Sequence, residues 1–213
     1  MRNISEEHQQ TLADLIYGDH STPETRQTDN LTALEDLKKT CLACNRCVLR
    51  SGCSQVVFGA GNYKARLLMV GEGPGADEDR TGIPFVGKAG RLLDKILQAA
   101  EINRDEIFIT NVVKCRPPGN RLPLQPEVDA CLPYLKEQIE LINPEIIVCL
   151  GSLATKNMID KNAAITRMRG KWHTIDGRQV IATFHPAALL RDPSRKKDVW
   201  EDFKQIMEKY NPV

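Results

Sequence analysis

Four short, apolar, β-rich runs place the tightest constraint on this chain: RLLMVG (66–71), IFITNVV (107–113), EIIVCLG (145–151) and VIATF (180–184). Patterns of helical period separate the first three, AGRLLDKILQAAEI (89–102) and PEVDACLPYLKEQIELI (126–142). Pro133 predicts a kink or break in the second, because proline lacks the N–H and crowds the preceding turn. SLATKNMI after the third run and DPSRKKDVWEDFKQIMEKY near the end read as further helices. Strands that alternate with amphipathic helices pair in parallel and are covered on both faces. The expected fold is α/β, a three-layer α/β/α sandwich around a mainly parallel four-stranded sheet.

The chain ahead of the first run is of another kind. Residues 1 to 30 are polar; HQQTLADLI reads as a short helix, STPETRQTDN as a linker, and LTALEDLKKT as a helix leading into a cysteine-rich loop. The expected division is a polar extension over 1–35 and one domain over 36–213. With 41% apolar and 27% charged residues, disorder of the whole chain is excluded. The longest purely apolar run, Ile146 to Leu150, is far short of the ~20 residues that cross a bilayer. The start, MRNISEEHQQ, has no hydrophobic segment of signal-peptide type, so a cytoplasmic protein with no membrane association is expected. Net charge is +1, but it is unevenly spread: residues 1–40 carry four basic and eight acidic side chains, residues 161–200 nine basic and three acidic. A basic C-terminal portion suits a phosphate backbone as well as an ordinary solvated surface.

The unusual residues fall at one edge. Gly71 to Asp79, Asn111, Gly151 to Ser152 and His185 to Pro186 each lie at or just past the C-terminal end of an expected strand, where open parallel sheets bind ligands. Two phosphate-binding patterns there are decoys. GEGPGA (71–76) fits a dinucleotide fingerprint, but ADEDRTGIPF follows, with Gly82 and Pro84 set against a helix and three acids set against phosphate. GIPFVGKA (82–89) has Ala89 where a P-loop needs a hydroxyl, and a stiff interior.

Seven cysteines without an export signal point to metal binding or core packing rather than to disulfides. Cys41, Cys44, Cys47 and Cys53 cluster in TCLACNRCVLRSGC. Two thiolates on one tight loop need two ligands from elsewhere; Cys115 and Cys131 are candidates, and Cys149, inside an apolar strand, reads as an inert core thiol. Spacing alone leaves open both the choice among the first four and the choice between zinc and an iron–sulfur cluster.

Taken together, CNRC, VVFGAGN, GEGPGADEDRTGIPFVGKAGRLLD, ITNVVKCRPPGNRLP, VCLGSLA, RGKW and FHPAALLRDPSRK resemble, in that order, the iron–sulfur uracil-DNA glycosylases, family 4 of their superfamily. The resemblance runs from about Cys44 to Trp200. It implies a monofunctional hydrolase that releases uracil from single- and double-stranded DNA. It implies a 4Fe–4S cluster held by Cys44, Cys47, Cys115 and Cys131 at one side of the sandwich, with a structural role. Uracil-containing DNA is the implied partner; a sliding clamp or other repair proteins are further partners it allows, and the chain is expected to be a monomer. The rivals are a broader-specificity glycosylase of the same superfamily and a non-catalytic iron–sulfur binding protein.

The same resemblance assigns roles. A base inside the stack is out of reach, so the nucleotide must be flipped into a pocket. Phe85 is implied to stack on the uracil, bordered by Gly71, Gly73, Pro74 and Gly75, and Asn111 to pair with its ring N–H and neighbouring carbonyl. His185 is implied to stabilise the departing uracilate. Glu72 and Glu78 are the acids nearest the expected sugar: backbone groups of the 71–75 loop or the Glu72 carboxylate are implied to position water, and Glu78 to stabilise a cationic sugar. Where the wider superfamily often has Asp or Asn, this chain has Gly73. Leu189, Leu190 and Arg191 are implied to fill the space left by the extruded base, and Arg167, Arg169 and Lys171 to contact phosphates.

Overall fold

The computed structural model describes residues 23–211. The strands are β1 (Ala60–Gly61), β2 (Leu67–Gly71), β3 (Phe108–Asn111), β4 (Ile146–Leu150), β5 (Trp172–Ile175) and β6 (Arg178–Thr183). They form one sheet in the order β1-β3-β2-β4-β6-β5. The four central strands are parallel, as their helical crossovers require; β1 and β5 add antiparallel edges. The sheet therefore has six strands rather than four. The two extra ones are a two-residue pairing and a half-exposed hairpin partner, too short or too polar to stand out as apolar runs.

The helices among the described residues are α1 (Pro23–Leu42), α2 (Leu49–Gly52), α3 (Ala76–Thr81), α4 (Lys88–Ala99), α5 (Gln125–Ile142), α6 (Ser152–Met158), α7 (Ile165–Met168), α8 (Pro186–Arg191) and α9 (Lys196–Tyr210). Alternate residues of each strand serve opposite cores. Leu68, Val70, Ile147, Cys149, Val180 and Ala182 face the layer holding α1 and α5, while Leu67, Met69, Ile146, Val148 and Ile181 face α4 and α9. Each fully buried leucine, such as Leu93 or Leu97 on α4, contributes about 2 kcal/mol from removing its surface from water. This is the expected three-layer sandwich. No described helix is long and apolar enough to cross a membrane.

Three local expectations change. The stretch read as a linker is helical from Pro23, whose fixed φ suits a first turn. Leu34, Leu37 and Cys41 recur on one face of α1 and are buried in the core shared with α5, and Asn30 Nδ2 donates to the Leu141 carbonyl. Residues 35 and 36 thus lie inside one continuous helix, while HQQTLADLI lies outside the described residues. Next, α5 runs unbroken through Pro133. Both Pro133 and Asp129, whose carbonyl loses its partner, are exposed, so water can satisfy the freed group. Finally, a helix does begin directly after GEGPG, but Gly82, at φ 73°, ends it after six residues.

Candidate active site

The chain ends of β2 and β3 set the geometry. Gly71 pairs with Asn111 in register, and the absence of a side chain at 71 is required: a Cβ there would lie 2.3 Å from Asn111 Oδ1 and 2.6 Å from Phe85 Cζ. Phe85 reaches this point from the loop before α4 with a left-handed backbone, φ 54°, a conformation costing on the order of 1 kcal/mol for a non-glycine residue. Its ring lies 5.4 Å from that of His185. Phe85, Asn111 and His185, expected to act together, are therefore side by side. They line a cavity of about 840 Å³ with the Glu72–Glu78 loop and the start of α8.

Asn111 is 1% exposed, and its side-chain Oδ1 is buried without a hydrogen-bond partner among the described residues. A buried amide oxygen left unpaired costs about 1–3 kcal/mol, so this atom marks where a donor belongs. His185 caps α8, its Nδ1 accepting the Ala187 N–H at 3.1 Å. That bond places the ring proton on Nε2. Burial, reinforced by Arg191 and opposed by Glu78, pushes the imidazole down to about 4, so it is neutral near pH 7.

The two glutamates separate. Glu72 lines the cavity with no hydrogen bond to its carboxylate among the described residues; burial raises it above the ordinary carboxylate range, against the pull of Arg191. Glu78 also borders the cavity, but both of its oxygens are committed. Oε2 accepts the Gly75 N–H at 3.1 Å, and Oε1 accepts those of Val86 and Gly87 at 2.9 and 2.8 Å. Through these bonds Glu78 clamps the loop that ends at Gly75 to the Phe85 loop. Its carboxylate sits where either phosphate-binding pattern would need an anion, which explains physically why both are decoys. Position 73 has no room for the superfamily's acid or amide, since a Cβ there would lie 2.7 Å from Val113 Cγ2.

The DNA-facing candidates divide as well. Leu190 is 50% exposed and borders the cavity with Arg191, but Leu189 is 2% exposed and packs in the core beneath α8. On a helix, adjacent residues point about 100° apart, so Leu189 cannot share the wedge. Arg167 and Lys171 are exposed. Arg169 instead forks onto buried Asp202, at 3.0 Å to Oδ2 and 2.7 Å to Oδ1, and also donates to the Asp198 carbonyl. It is a structural ion pair rather than a phosphate contact. Sequence reading missed Asn120, Arg121 and Leu122, which complete the rim. Arg121 is locked bidentately to buried Glu127, at 2.8 and 2.6 Å. The signal available was their place in PPGNRLP, just past the same strand edge as Asn111.

Cys44, Cys47, Cys115 and Cys131 line a second cavity, with Cys41 and the apolar Leu49 and Val56. Main-chain N–H groups reach two of the sulfurs, Lys114 to Cys131 Sγ at 3.2 Å and Arg46 to Cys44 Sγ at 3.5 Å. No three His, Cys, Asp or Glu side chains among the described residues are grouped to hold a single metal ion. Cys149 lies apart in β4, wholly buried, where burial pushes its thiol up.

The family model described as the uracil DNA glycosylase superfamily matches residues 58–204. The chain is 46% identical over 168 residues to the type-4 uracil-DNA glycosylase of Thermotoga maritima, covering 76% of this chain and 86% of that one. It is 43% identical over 187 residues to that of Sulfurisphaera tokodaii, covering 84% and 85%. To that of Archaeoglobus fulgidus it is 42% identical over 186 residues, covering 84% and 94%.

Proposed function

The chain belongs to the uracil DNA glycosylase superfamily, among its type-4 enzymes, and on that premise we propose that it hydrolyses the N-glycosidic bond of deoxyuridine in single- and double-stranded DNA. The products are free uracil and an abasic site, the first step of base excision repair. The observation that carries this reading is the orphaned Oδ1 of Asn111, held against an aromatic ring and a neutral imidazole.

Uracil's ring N3–H is the donor that Oδ1 lacks. Cytosine presents an unprotonated nitrogen at that position and would leave the buried acceptor unpaired, which discriminates by more than any apolar contact does. The Phe85 face supports the flipped ring. His185 donates through Nε2–H to the uracil oxygen beside the scissile bond. As the bond breaks, negative charge grows on that oxygen, and a preorganised donor stabilises it most when it is greatest. Glu72, uncommitted and half-buried, is the group assigned to orient water toward the sugar; Glu78 holds the two loops in place. Leu190 and Arg191 enter the space vacated in the duplex, with Arg167 and Lys171 on phosphates.

We assign a 4Fe–4S cluster to the thiols of Cys44, Cys47, Cys115 and Cys131. Support comes from four thiols around one apolar cavity and from two N–H···S bonds of the kind that surround such clusters. When bound, the cluster supplies cross-linking rather than electrons, tying the loop after α1 to the loop after β3. The test is incubation of purified protein with a single-uracil oligonucleotide followed by alkali. Strand cleavage at the uracil position is expected; an intact strand overturns the reading.

A further inference from the structure

One buried charge has no part in the chemistry above. Lys114 is 1% exposed. Its ammonium donates to Thr110 Oγ1 at 2.6 Å, to Gln138 Oε1 at 2.6 Å and to the main-chain carbonyl of Asn111 at 2.8 Å. Three acceptors satisfy its three protons, and none of them is a carboxylate. The two side-chain acceptors are themselves fixed, because Thr110 Oγ1 and Gln138 Nε2 both donate to the Phe58 carbonyl, at 2.9 and 2.8 Å. An ammonium is an expensive way to close a core, since burying it costs several kcal/mol that neutral acceptors only partly return. A neutral or apolar residue would fill the same space at lower cost.

Its position suggests what the charge is for. The main chain of Lys114 is fixed at both polar atoms: its N–H donates to Cys131 Sγ at 3.2 Å, and its carbonyl accepts the Val57 N–H at 2.7 Å. The next residue is Cys115. At the other end, the ammonium holds the carbonyl of the residue whose amide reads the base. Here β3 has ended; the peptide that follows Asn111 keeps its N–H on β2, Val112 N–H donating to the Gly71 carbonyl at 3.0 Å, and the ammonium takes its carbonyl.

Resting on the glycosylase reading, we propose that Lys114 is a positioning residue for Asn111, tying the uracil-reading amide to the thiol cluster site through one side chain. The cysteine site thereby sets the orientation of Oδ1 in the pocket, beyond tethering loops. A displacement of well under an ångström at such an amide is enough to weaken recognition, because the hydrogen bond to N3–H is directional.

The test uses the cluster-loaded full chain with Lys114→Met, and with Lys114→Met/Gln138→Leu, which also removes one of the three acceptors that the single change deprives of the ammonium. Three quantities are read: cluster absorbance, inhibition by free uracil, and affinity for an oligonucleotide bearing an abasic site. The expectation is unchanged absorbance, abasic-site affinity within about twofold, and uracil inhibition weakened about tenfold or more. Uracil inhibition equal to wild type in either absorbing variant, or a parallel loss of both ligands, overturns the proposal. Absence of uracil release by the wild-type protein overturns the glycosylase reading instead, so the two failures are distinguishable.

Discussion

The rings of Phe85 and His185 lie 5.4 Å apart, centre to centre, with their planes inclined by 31°. The contact joins the two ends of the chain's functional region: Phe85 comes from the loop before α4, His185 from the cap of α8. A left-handed backbone brings the phenyl ring in, and a main-chain N–H fixes the imidazole. The ring proposed as the plate for the base and the imidazole proposed as the donor to the leaving group therefore form one wall, with Asn111 beside it.

Replacement of Asn111 by Ala removes the acceptor for N3–H. Single-turnover uracil release is expected to fall on the order of 100-fold or more, with the brown cluster absorbance retained. An undiminished rate would withdraw the recognition role from this residue.

For His185 the pH dependence has a definite sign. The native imidazole is held down to about 4, against an ordinary value of 6.5. Between those values the unfolded chain binds a proton that the native one refuses, so stability is full above that window and is lost as pH falls through it. Thermal unfolding of wild type should show that loss, and His185→Ala should lack this contribution. Uracil release by wild type should not decline on account of His185 near pH 6.5, only on approach to about pH 4.

The two glutamates should respond oppositely to loss of charge. In Glu78→Gln one carboxylate oxygen becomes an amide donor facing main-chain N–H groups, and a loss of about 1–3 kcal/mol in unfolding free energy is expected. Glu72→Gln should leave the melting temperature near wild type while slowing uracil release. Calorimetry paired with a release assay separates them.

Adjacent leucines of α8 should behave as different kinds of residue. Leu189→Ala empties a core position and should cost about 2–5 kcal/mol in stability. Leu190→Ala should leave stability intact and slow excision from duplex more than from single-stranded substrate, because only the duplex has a stack to fill.

A similar contrast holds for the basic residues after α6. Arg169→Ala leaves Asp202 buried without its guanidinium, and a loss of about 3–5 kcal/mol is expected in denaturant unfolding. Arg167→Ala and Lys171→Ala should each lower the salt dependence of DNA binding, by about 0.9 in the logarithmic slope for each phosphate no longer neutralised.

Periodicity alone made the four parallel strands, their crossovers and the polar edge legible, because burial on both faces forces continuous apolar runs at β2, β3, β4 and β6. The motifs then marked Phe85, Asn111, His185 and the four cysteines as belonging to that edge and to one cavity beside it. Local pattern carries no information about which carboxylate or guanidinium a distant amide or acid will occupy. Glu78, Arg169 and Leu189 all read as functional, and the fold places them in a two-loop clamp beside the cavity, an ion pair and the core. Only the folded chain decides such cases, since two of the three N–H groups that Glu78 accepts lie on a different loop, Asp202 is 33 residues from Arg169, and the direction of Leu189 depends on how α8 is set against the sheet. The same holds for Lys114, whose link between the base-reading amide and the thiols exists only because α5 brings Gln138 and Cys131 over the end of β3.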